Sequence, residues 1–393
     1  MQRQVVIAAG VRTAIGDFGG ALAGHSPCDL GAAVAREAIA RAGIAPGDVG
    51  QVVFGNVLHT APEDMYLSRV AALRAGVPET VPALTLNRLC GSGLQAVVTA
   101  AEQILLGNAD VALAGGAESM SRAGHLLTQV RNGQKMGDVT ATDMMTGALT
   151  DPFGNGHMGI TAENIAARDG IGRERQDAFA AESHRRAARA IAEGRFRDQI
   201  LPITVRRGRA EAIFDTDEHV RAEVTAESLA GLRPAFRRDG TVTAGNASGI
   251  NDGAGAVVLM EAGEAEARGV APLARIRAYG LGGVAPEVMG LGPVPAVEQA
   301  LARAGLTVAD LDVIESNEAF AAQACAVSDR LGLPADRVNP NGGAVALGHP
   351  IGASGAIILI KLCYELQRSG GRYGLATMCI GGGQGIAVVV ERA

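Results

Sequence analysis

Residues 38–49, AIARAGIAPGDV, recur as residues 300–311, ALARAGLTVADL, and this repeat decides the fold. Each copy has apolar residues at helical spacing, a stop at Arg-Ala-Gly, and an acidic-apolar pair that leads into a strand. The two copies lie 262 positions apart, so the chain contains one helix-to-strand unit twice.

Other parts of the chain repeat in the same register. Two further pairs share the offset of 262 without a gap, namely Ser92-Gly93 with Ser354-Gly355 and VALA at 111–114 with YGLA at 373–376. A last pair, GAGAVVLME from Gly253 and GQGIAVVVE from Gly383, matches at an offset of only 130. The first copy therefore carries 132 additional residues, which we place at residues 119–250.

The repeat predicts an α/β protein made of two similar halves with helices on mixed sheets. Its short Val/Ile/Leu/Ala runs lack polar alternation, which is typical of strands that are buried on both faces. We expect an N-terminal half at residues 1–118 plus 251–268 and a C-terminal half at residues 269–393. The inserted segment, residues 119–250, has helical periods separated by Gly, Pro and polar turns.

The composition excludes several classes of function. A length of 393 residues with 48% hydrophobic and 19% charged residues indicates a globular protein of two or three domains. The net charge of −6 argues against nucleic-acid binding, and no apolar run approaches the length of a membrane span or a signal peptide. Five scattered cysteines indicate free thiols in a reducing compartment, and we expect the cytoplasm: Cys28, Cys90, Cys325, Cys363 and Cys379.

Cys90 is the first candidate for a reactive group. It precedes a Gly-Ser-Gly turn and an apolar-periodic segment, so we expect it at or just before the N-terminus of a helix. Unpaired backbone N–H groups and the helix dipole at that position predict a lowered thiol pKa and a nucleophilic cysteine. A buried structural cysteine is the alternative interpretation.

The second half holds three further segments that are rich in reactive groups, at residues 315–320, 339–356 and 378–385. Cys379 enters a triple-Gly turn whose backbone N–H groups could form an oxyanion hole, and His349 occupies the loop equivalent to the one before Cys90. Together these groups have the character of a nucleophile, a base and oxyanion donors. Each also has a structural interpretation, with Asn317 as a helix cap, His349 as a loop residue and Cys379 as a core residue.

Other chemistries lack their signatures in this sequence. No two Cys or His residues have metal-ligand spacing, and we expect no metal. Cys-x-x-Cys, a phosphate-loop lysine motif and a dinucleotide-binding glycine motif are absent. Cys325 and Cys363 lie in apolar helical runs and are predicted to be core residues.

Five stretches of the chain resemble the thiolase family, in particular its short-chain biosynthetic members, the acetyl-CoA C-acetyltransferases and 3-ketothiolases. They are VRTAIGDFGG at 11–20, LNRLCGSG at 86–93, NEAF at 317–320, NPNGGAVALGHPIGASG at 339–355 and CIGGGQG at 379–385. The resemblance implies the thiolase fold, in which two duplicated α/β halves form a five-layered αβαβα core with an inserted loop domain. It also implies a homotetramer that is joined through loops near residues 126–138.

The resemblance further implies the reaction, a reversible Claisen condensation of acetyl-CoA with a short acyl-CoA to give a 3-ketoacyl-CoA and CoA. In such an enzyme Cys90 carries the acyl group and Cys379 takes a proton from the methyl carbon of acetyl-CoA. His349 and a water held by Asn317 stabilise the enolate oxygen, and the backbone N–H groups of Cys90 and Gly381 hold the acyl oxygen. Acyl-CoA and 3-ketoacyl-CoA thioesters are substrates, and no separate cofactor is expected.

The resemblance places residues 119–250 over CoA. This segment carries 18 of the 35 basic and 17 of the 41 acidic residues, so it is near +1 while the halves total −7. By resemblance Met289 supports small acyl groups. The implied CoA contacts are His157, Met158, Arg221, Phe236, Ser248, Met289 and Phe320.

Three other functions compete with this interpretation. A ketoacyl-carrier-protein synthase has the same fold but pairs its cysteine with histidines, which Cys379 argues against. A non-catalytic acyl-CoA-binding protein would not need Cys90 or His349, and a cysteine hydrolase would have no use for a base that acts on carbon. The sequence leaves open the preferred acyl length and the physiological direction of the reaction.

Overall fold

The computed structural model describes residues 3–208 and 210–393. The strands are β1 (Val5–Thr13), β2 (Gly16–Asp17), β3 (Gln51–Gly55), β4 (Ala83–Leu86), β5 (Val111–Ser119), β6 (His125–Leu126), β7 (Thr142–Asp143), β8 (Thr150–Asp151), β9 (Gly156–His157), β10 (Ile200–Leu201), β11 (Ile203–Arg207), β12 (Ala210–Phe214), β13 (Asn251–Glu261), β14 (Ala274–Gly283), β15 (Val313–Ser316), β16 (Tyr373–Ile380) and β17 (Gln384–Arg392).

The α-helices are α1 (Pro27–Arg41), α2 (Leu67–Arg74), α3 (Ser92–Leu105), α4 (Met144–Ala148), α5 (Met158–Asp169), α6 (Arg173–Ala192), α7 (Ala226–Ala230), α8 (Ala262–Ala267), α9 (Pro293–Ala304), α10 (Ala321–Leu331), α11 (Ala344–Leu347) and α12 (Ile351–Ser369). Short 3₁₀ turns occupy Pro46–Asp48, Pro62–Tyr66, Met120–Arg122, Val130–Asn132, Pro286–Leu291 and Val308–Asp310.

The central strands have the same order in the two halves, which confirms the duplication. The N-terminal strands run β1-β13-β5-β3-β4, and the C-terminal strands run β14-β17-β16-β15. β3 and β15 are parallel to their neighbours β5 and β16, whereas β13 and β17 are antiparallel to those same strands. A short antiparallel pairing of β1 with β14 joins the two sets edge to edge.

The elements stack in five layers, as the resemblance implied. α1 packs on one face of the N-terminal strands, α3 and α12 lie between the two sets, and α9 covers the outer face of β14 and β17. Leu113 and Ala114 of β5 contribute to cores on opposite faces, so this strand is buried on both sides as predicted.

The two middle helices cross where the repeat places equivalent glycines. A Cβ on Gly93 would lie 2.8 Å from the backbone nitrogen of Ala356, and one on Gly355 would lie 2.3 Å from that of Leu94. Only glycine allows the helix backbones to approach this closely. The crossing brings the loops before α3 and α12 together, which positions the chemistry described below.

Residues between β5 and β13 form the predicted helices α5 and α6 and several short hairpins. β10 pairs with β1, and the buried Arg12 guanidinium donates two hydrogen bonds to the buried Asp217 carboxylate. This contact ties the segment to the N-terminal half. The exact domain boundaries given above stay a prediction.

The cysteines agree with the sequence analysis in part. Cys325 on α10 and Cys363 on α12 are buried, as predicted for core residues. Cys28 has a partner that the sequence did not reveal, because its thiol donates to Asp64 Oδ1 at 3.3 Å. Among the described residues, no helix has the length and apolarity needed to cross a membrane.

Candidate active site

One cavity of about 430 Å³ collects residues from both halves and from the segment between them. Leu89, Cys90 and Met120 line it together with Cys379 of β16 and Gly381 of the following turn. Of the residues predicted for the site, those on the cavity wall are Cys90, His157, Met158, Arg221, Phe236, Ser248, Met289, Phe320, His349, Cys379 and Gly381. Asn317 is not part of this wall.

Cys90 lies in a tight turn two residues before α3 begins, which confirms the predicted position. Leu89 has φ of 46°, a left-handed conformation that is strained for a leucine. The Ser92 hydroxyl supports the turn, since it accepts from Arg88 N at 2.8 Å and donates to Leu89 O at 2.7 Å. The turn holds the half-buried Cys90 side chain at the cavity wall.

The predicted lowering of the Cys90 pKa is wrong. Burial raises the pKa of this thiol to about 11, and the backbone N–H groups of Gly381 and of Cys90 itself offset only part of that rise. The buried carboxylate of Glu118 raises the pKa further. At neutral pH the resting group is therefore a thiol, so the nucleophile needs a base when substrate arrives.

Glu118 was not identified from the sequence, although it organises this corner of the site. Its carboxylate accepts from the backbone N–H groups of Val57, Leu58 and Gly352 at 2.9–3.1 Å. Burial raises the pKa of Glu118 to about 8 despite these donors. Glu118 thus connects the 56–58 loop to the first turn of α12, which follows His349.

Cys379 lies at the end of β16, next to the glycine turn, and its side chain is buried. Burial raises its pKa, and the neighbouring Cys90 raises it further. Gly382 and Gly383 have φ of 80° and 88°, so the turn after Ile380 requires glycine. A Cβ on Gly381 would lie 3.0 Å from Met158 Cε and 3.1 Å from Leu89 Cδ1, which places this residue within the wall.

His349 is held by contacts on its backbone and on one ring nitrogen. Its N–H donates to Asn251 Oδ1 at 2.8 Å, and Nδ1 lies 2.7 Å from Ser354 Oγ. No described residue bonds Nε2, which leaves that nitrogen for chemistry in the cavity. Burial lowers the pKa of His349 to about 4, so the imidazole is neutral near pH 7.

Asn317 follows β15 and lies in a smaller inner cavity that it shares with Ser354, the residue bonded to His349. Its backbone N–H donates to Thr377 O at 2.9 Å. The N-cap of α10 is Phe320 and makes no side-chain capping bond, so Asn317 does not cap that helix. Cys379, near the end of β16, and Asn317, just after β15, thus lie at the same end of two adjacent parallel strands.

Aromatic rings form another part of the cavity wall. The His157 ring stacks on Phe236 with centroids 4.8 Å apart, and Phe236 meets Phe320 edge-on at 6.1 Å. Met158 and Met289 are buried beside them. These contacts create an apolar compartment within the cavity.

Arg221, Ser248 and the unpredicted His219 line the same cavity. Arg221 is exposed, and its backbone N–H donates to His184 Nδ1 at 3.1 Å. His219 lies two residues before Arg221, and its Nδ1 forms a hydrogen bond with Asp17 Oδ1. The sequence could have indicated His219 as a site residue only through its closeness to Arg221 in the chain. The contact of His219 with Asp17 depends on the fold.

Acidification is expected to destabilise the protein because two buried histidines are neutral in the folded state. Burial lowers the pKa of both His349 and His184 to about 4, whereas an unfolded imidazole titrates near about 6.5. Between these values the unfolded chain binds more protons, so stability falls as the pH falls. We expect each imidazole to account for about 2 kcal/mol lost between about pH 7 and about pH 5. Urea unfolding of wild type and His184→Gln at both pH values measures the change in the free energy of unfolding. An equal loss of stability in the two proteins would contradict the contribution of His184.

The comparisons with known proteins cover nearly the whole chain. Residues 5–263 match the family "Thiolase, N-terminal domain" and residues 270–392 match "Thiolase, C-terminal domain". The chain belongs to the thiolase family. It is 60% identical to Beta-ketothiolase BktB of Cupriavidus necator over 393 residues, which is 100% of both chains. It is 53% identical to an acetyl-CoA acetyltransferase of Chromobacterium violaceum over 99% of this chain and 100% of that one.

Solved thiolase structures have the same fold. The human mitochondrial 3-ketoacyl-CoA thiolase has a TM-score of 0.98 at 44% identity, over 100% of this chain and 99% of that one. The Bacillus anthracis acetyl-CoA acetyltransferase has a TM-score of 0.97 at 46% identity over the same shares. The thiolase fold predicted from the duplication and the motifs is thereby confirmed.

Proposed function

We propose that this thiolase catalyses the reversible Claisen condensation of acetyl-CoA with a short acyl-CoA, giving a 3-ketoacyl-CoA and CoA. One observation carries the proposal: Cys90, Cys379 and His349 line a single cavity, with the Gly381 N–H directed at the Cys90 sulfur. A hydrolase or a simple binding protein has no need for a second buried thiol at such a site.

Cys90 is the proposed nucleophile of the first half-reaction. Its sulfur attacks the thioester carbonyl carbon, and its proton passes to the free Nε2 of the neutral His349. The bond from the carbonyl carbon to the CoA sulfur then breaks. The raised pKa of Cys379 keeps it a thiol that can protonate the departing CoA thiolate.

Cys379 is the proposed base of the second half-reaction. Once its proton has left with CoA, the buried thiolate is strongly basic and can take a proton from the methyl group of a second acetyl-CoA. The resulting carbon attacks the acyl group on Cys90, the Cys90 thiolate leaves, and it recovers its proton from His349. Two thiols are necessary because the first is covalently occupied when the second acts.

Two sets of hydrogen-bond donors are proposed to stabilise the negative charge that develops on oxygen in the two half-reactions. The N–H groups of Cys90 and Gly381, which both act on the Cys90 sulfur and lower the pKa of its thiol, are proposed to hold the acyl oxygen. His349, after it has gained the proton, and a water held by Asn317 are proposed to stabilise the enolate oxygen. A thioester methyl group is far too weak an acid to react near neutral pH without such preorganised donors.

Residues 119–250 are proposed to be the CoA-binding domain, inserted between halves at 1–118 plus 251–268 and at 269–393. This segment supplies His157, Met158, Arg221, Phe236 and Ser248 to the cavity wall. The exposed Arg221 guanidinium has the charge to meet the phosphates of CoA, and Ser248 has a hydroxyl for its amide groups.

Arg221→Ala is therefore expected to raise KM for CoA substrates with little change in kcat. The loss of one exposed charge-assisted contact corresponds to about 1.5 to 3 kcal/mol at most. Initial-rate kinetics with acetyl-CoA measures this change. Arg233→Ala, which removes another arginine of the segment, is the matched control, and a wild-type KM for Arg221→Ala would remove Arg221 from the site.

A homotetramer in the cytoplasm is also part of the proposal. Exposed apolar side chains cluster in residues 126–138, with Leu126, Val130 and Met136 exposed by 48%, 50% and 89%, which supports contact with another copy of the chain. The five free cysteines suit a reducing compartment. Light scattering after size exclusion tests the tetramer, and a monomer would contradict it.

Turnover with acetyl-CoA and a panel of 3-ketoacyl-CoAs of increasing chain length tests the function directly. We expect ping-pong kinetics in the thiolysis direction and a preference for short chains. Binding without turnover would favour the non-catalytic alternative, and free acid as the only product would favour the hydrolase.

A further inference from the structure

A buried ion pair lies beneath the active site. Lys361 Nζ on α12 donates to Glu315 Oε2 on β15 and to Gly342 O, both at 2.8 Å. The two charged side chains are 3% and 1% exposed. Removing both charges from water is costly, and a buried pair of this kind commonly stabilises a fold no more than apolar residues would. Stability alone therefore does not explain why this pair is present.

The pair borders the small inner cavity that contains Asn317. The cavity measures about 20 Å³, which is room for about one water molecule. Glu315, Ser316, Asn317, Ser354 and Lys361 all belong to its wall. Polar side chains from the end of β15 and from α12 thus form part of the wall, and apolar residues such as Leu347, Ile357 and Ile358 complete it.

Three buried polar atoms that belong to residues lining this cavity have no bonding partner among the described residues: Glu315 Oε1, Ser316 Oγ and Asn317 Nδ2. Their side chains are 1–3% exposed, so bulk solvent does not satisfy them. An amide donor, a carboxylate acceptor and a hydroxyl are the two to four partners that a structural water needs.

Lys361 and Ser354 lie two turns apart on one face of α12. Ser354 contacts the His349 ring, and Lys361 holds the strand end that leads into Asn317. By bonding only Oε2, Lys361 leaves Glu315 Oε1 available at the cavity. The same helix thus fixes the position of His349 and of the residues before Asn317.

We propose that the Glu315–Lys361 pair builds a single-water site that orients the Asn317 amide, which makes both residues positioning residues for enolate formation. This inference rests on the proposed function, because it assigns Asn317 to the enolate step. The water donates to Glu315 Oε1 and accepts from Asn317 Nδ2. Other charges near Glu315 are the carboxylates of Glu318 and Glu365.

The double variant Lys361→Met with Glu315→Gln tests the proposal without leaving one buried charge unpaired. We expect it to fold, to transfer the acetyl group from acetyl-CoA to Cys90 at close to the wild-type rate, and to keep the wild-type KM. Exchange of acetyl-CoA methyl protons with deuterated solvent should fall about tenfold to a hundredfold, because Asn317 is misplaced.

The control is Arg175→Met with Asp329→Asn, which removes a half-exposed ion pair between α6 and α10. We expect it to retain both rates. Equal loss of acetyl transfer and exchange in the double variant, or unchanged exchange, would overturn the proposal. Absence of acetyl transfer in the wild type would instead overturn the proposed function.

A crystal structure of the wild type at a resolution that reveals ordered water provides a second test that does not depend on activity. We expect a water within hydrogen-bond distance of both Asn317 Nδ2 and Glu315 Oε1. In the double variant this water should be displaced or the Asn317 amide rotated. A wild-type cavity without water density would contradict the proposal.

Discussion

Cys90→Ala is expected to abolish condensation and thiolysis while leaving CoA binding intact. The variant removes the only atom to which the acyl group is transferred, whereas the aromatic wall and Arg221 remain in place. Loss of a covalent nucleophile lowers kcat by roughly four to six orders of magnitude. Steady-state turnover together with the dissociation constant for CoA measures both quantities.

The matched control for Cys90→Ala is Cys325→Ala, which removes a buried thiol of α10 that does not line the cavity. We expect the control to retain turnover. Measurable condensation by Cys90→Ala would assign the acyl group to a different residue, and loss of CoA affinity would assign Cys90 a structural role.

Cys379→Ser is expected to separate the two half-reactions. Cys90, Gly381 and His349 keep their positions, so acetyl transfer from acetyl-CoA to Cys90 continues, slowed only by the loss of the thiol that protonates the departing CoA thiolate. A serine hydroxyl cannot act as a base near neutral pH, so proton exchange at the methyl group of acetyl-CoA is lost. Condensation should fall by about two to four orders of magnitude, which is the usual contribution of a positioned base.

His349→Ala provides the comparison for Cys379→Ser. It removes the acceptor for the Cys90 proton and a donor to the enolate oxygen, so acetyl transfer and exchange should both be impaired. Deuterium incorporation followed by mass spectrometry measures exchange in each variant. If Cys379→Ser exchanged protons and condensed at near the wild-type rate, Cys379 would be a small core residue at the end of a strand.

The fold was predictable because the duplication is visible as a repeat in the sequence. The offset of 262 between residues 38–49 and 300–311 gave the correct equivalence of β3 with β15 and of β5 with β16. The repeat also matched Gly93 of α3 with Gly355 of α12, and the structure shows that the two helices cross at these glycines. These features depend on local sequence and on chain symmetry, and both are visible without coordinates.

Electrostatics at the site was not predictable in the same way. A position before a helix favours a lowered thiol pKa, but enclosure of Cys90 by the second half of the chain raises its pKa to about 11. Enclosure depends on contacts between distant residues, such as that of Cys90 with Gly381. The strained φ of Leu89 and the hydrogen bond between His219 and Asp17 depend on tertiary packing for the same reason.

Asn317 shows how far the sequence alone can predict the position of an individual site residue. The motif places it after a strand, near the active site, yet the structure locates it in the inner cavity with Ser354 and Lys361. Lys361 lies far along α12 in the sequence and offered no motif. Its approach to Glu315 follows from the packing of α12 against β15, which the repeat alone does not specify.

Peptide mapping after acid quench tests the central claim most directly. Wild type and Cys379→Ser are incubated with acetyl-CoA, denatured at low pH to preserve the thioester, digested and analysed by mass spectrometry. We predict an acetyl group on the peptide that contains Cys90 in both proteins, and on no peptide that contains Cys28, Cys325, Cys363 or Cys379. An acetyl group on another cysteine, or none on an enzyme that turns over, would contradict covalent catalysis at Cys90.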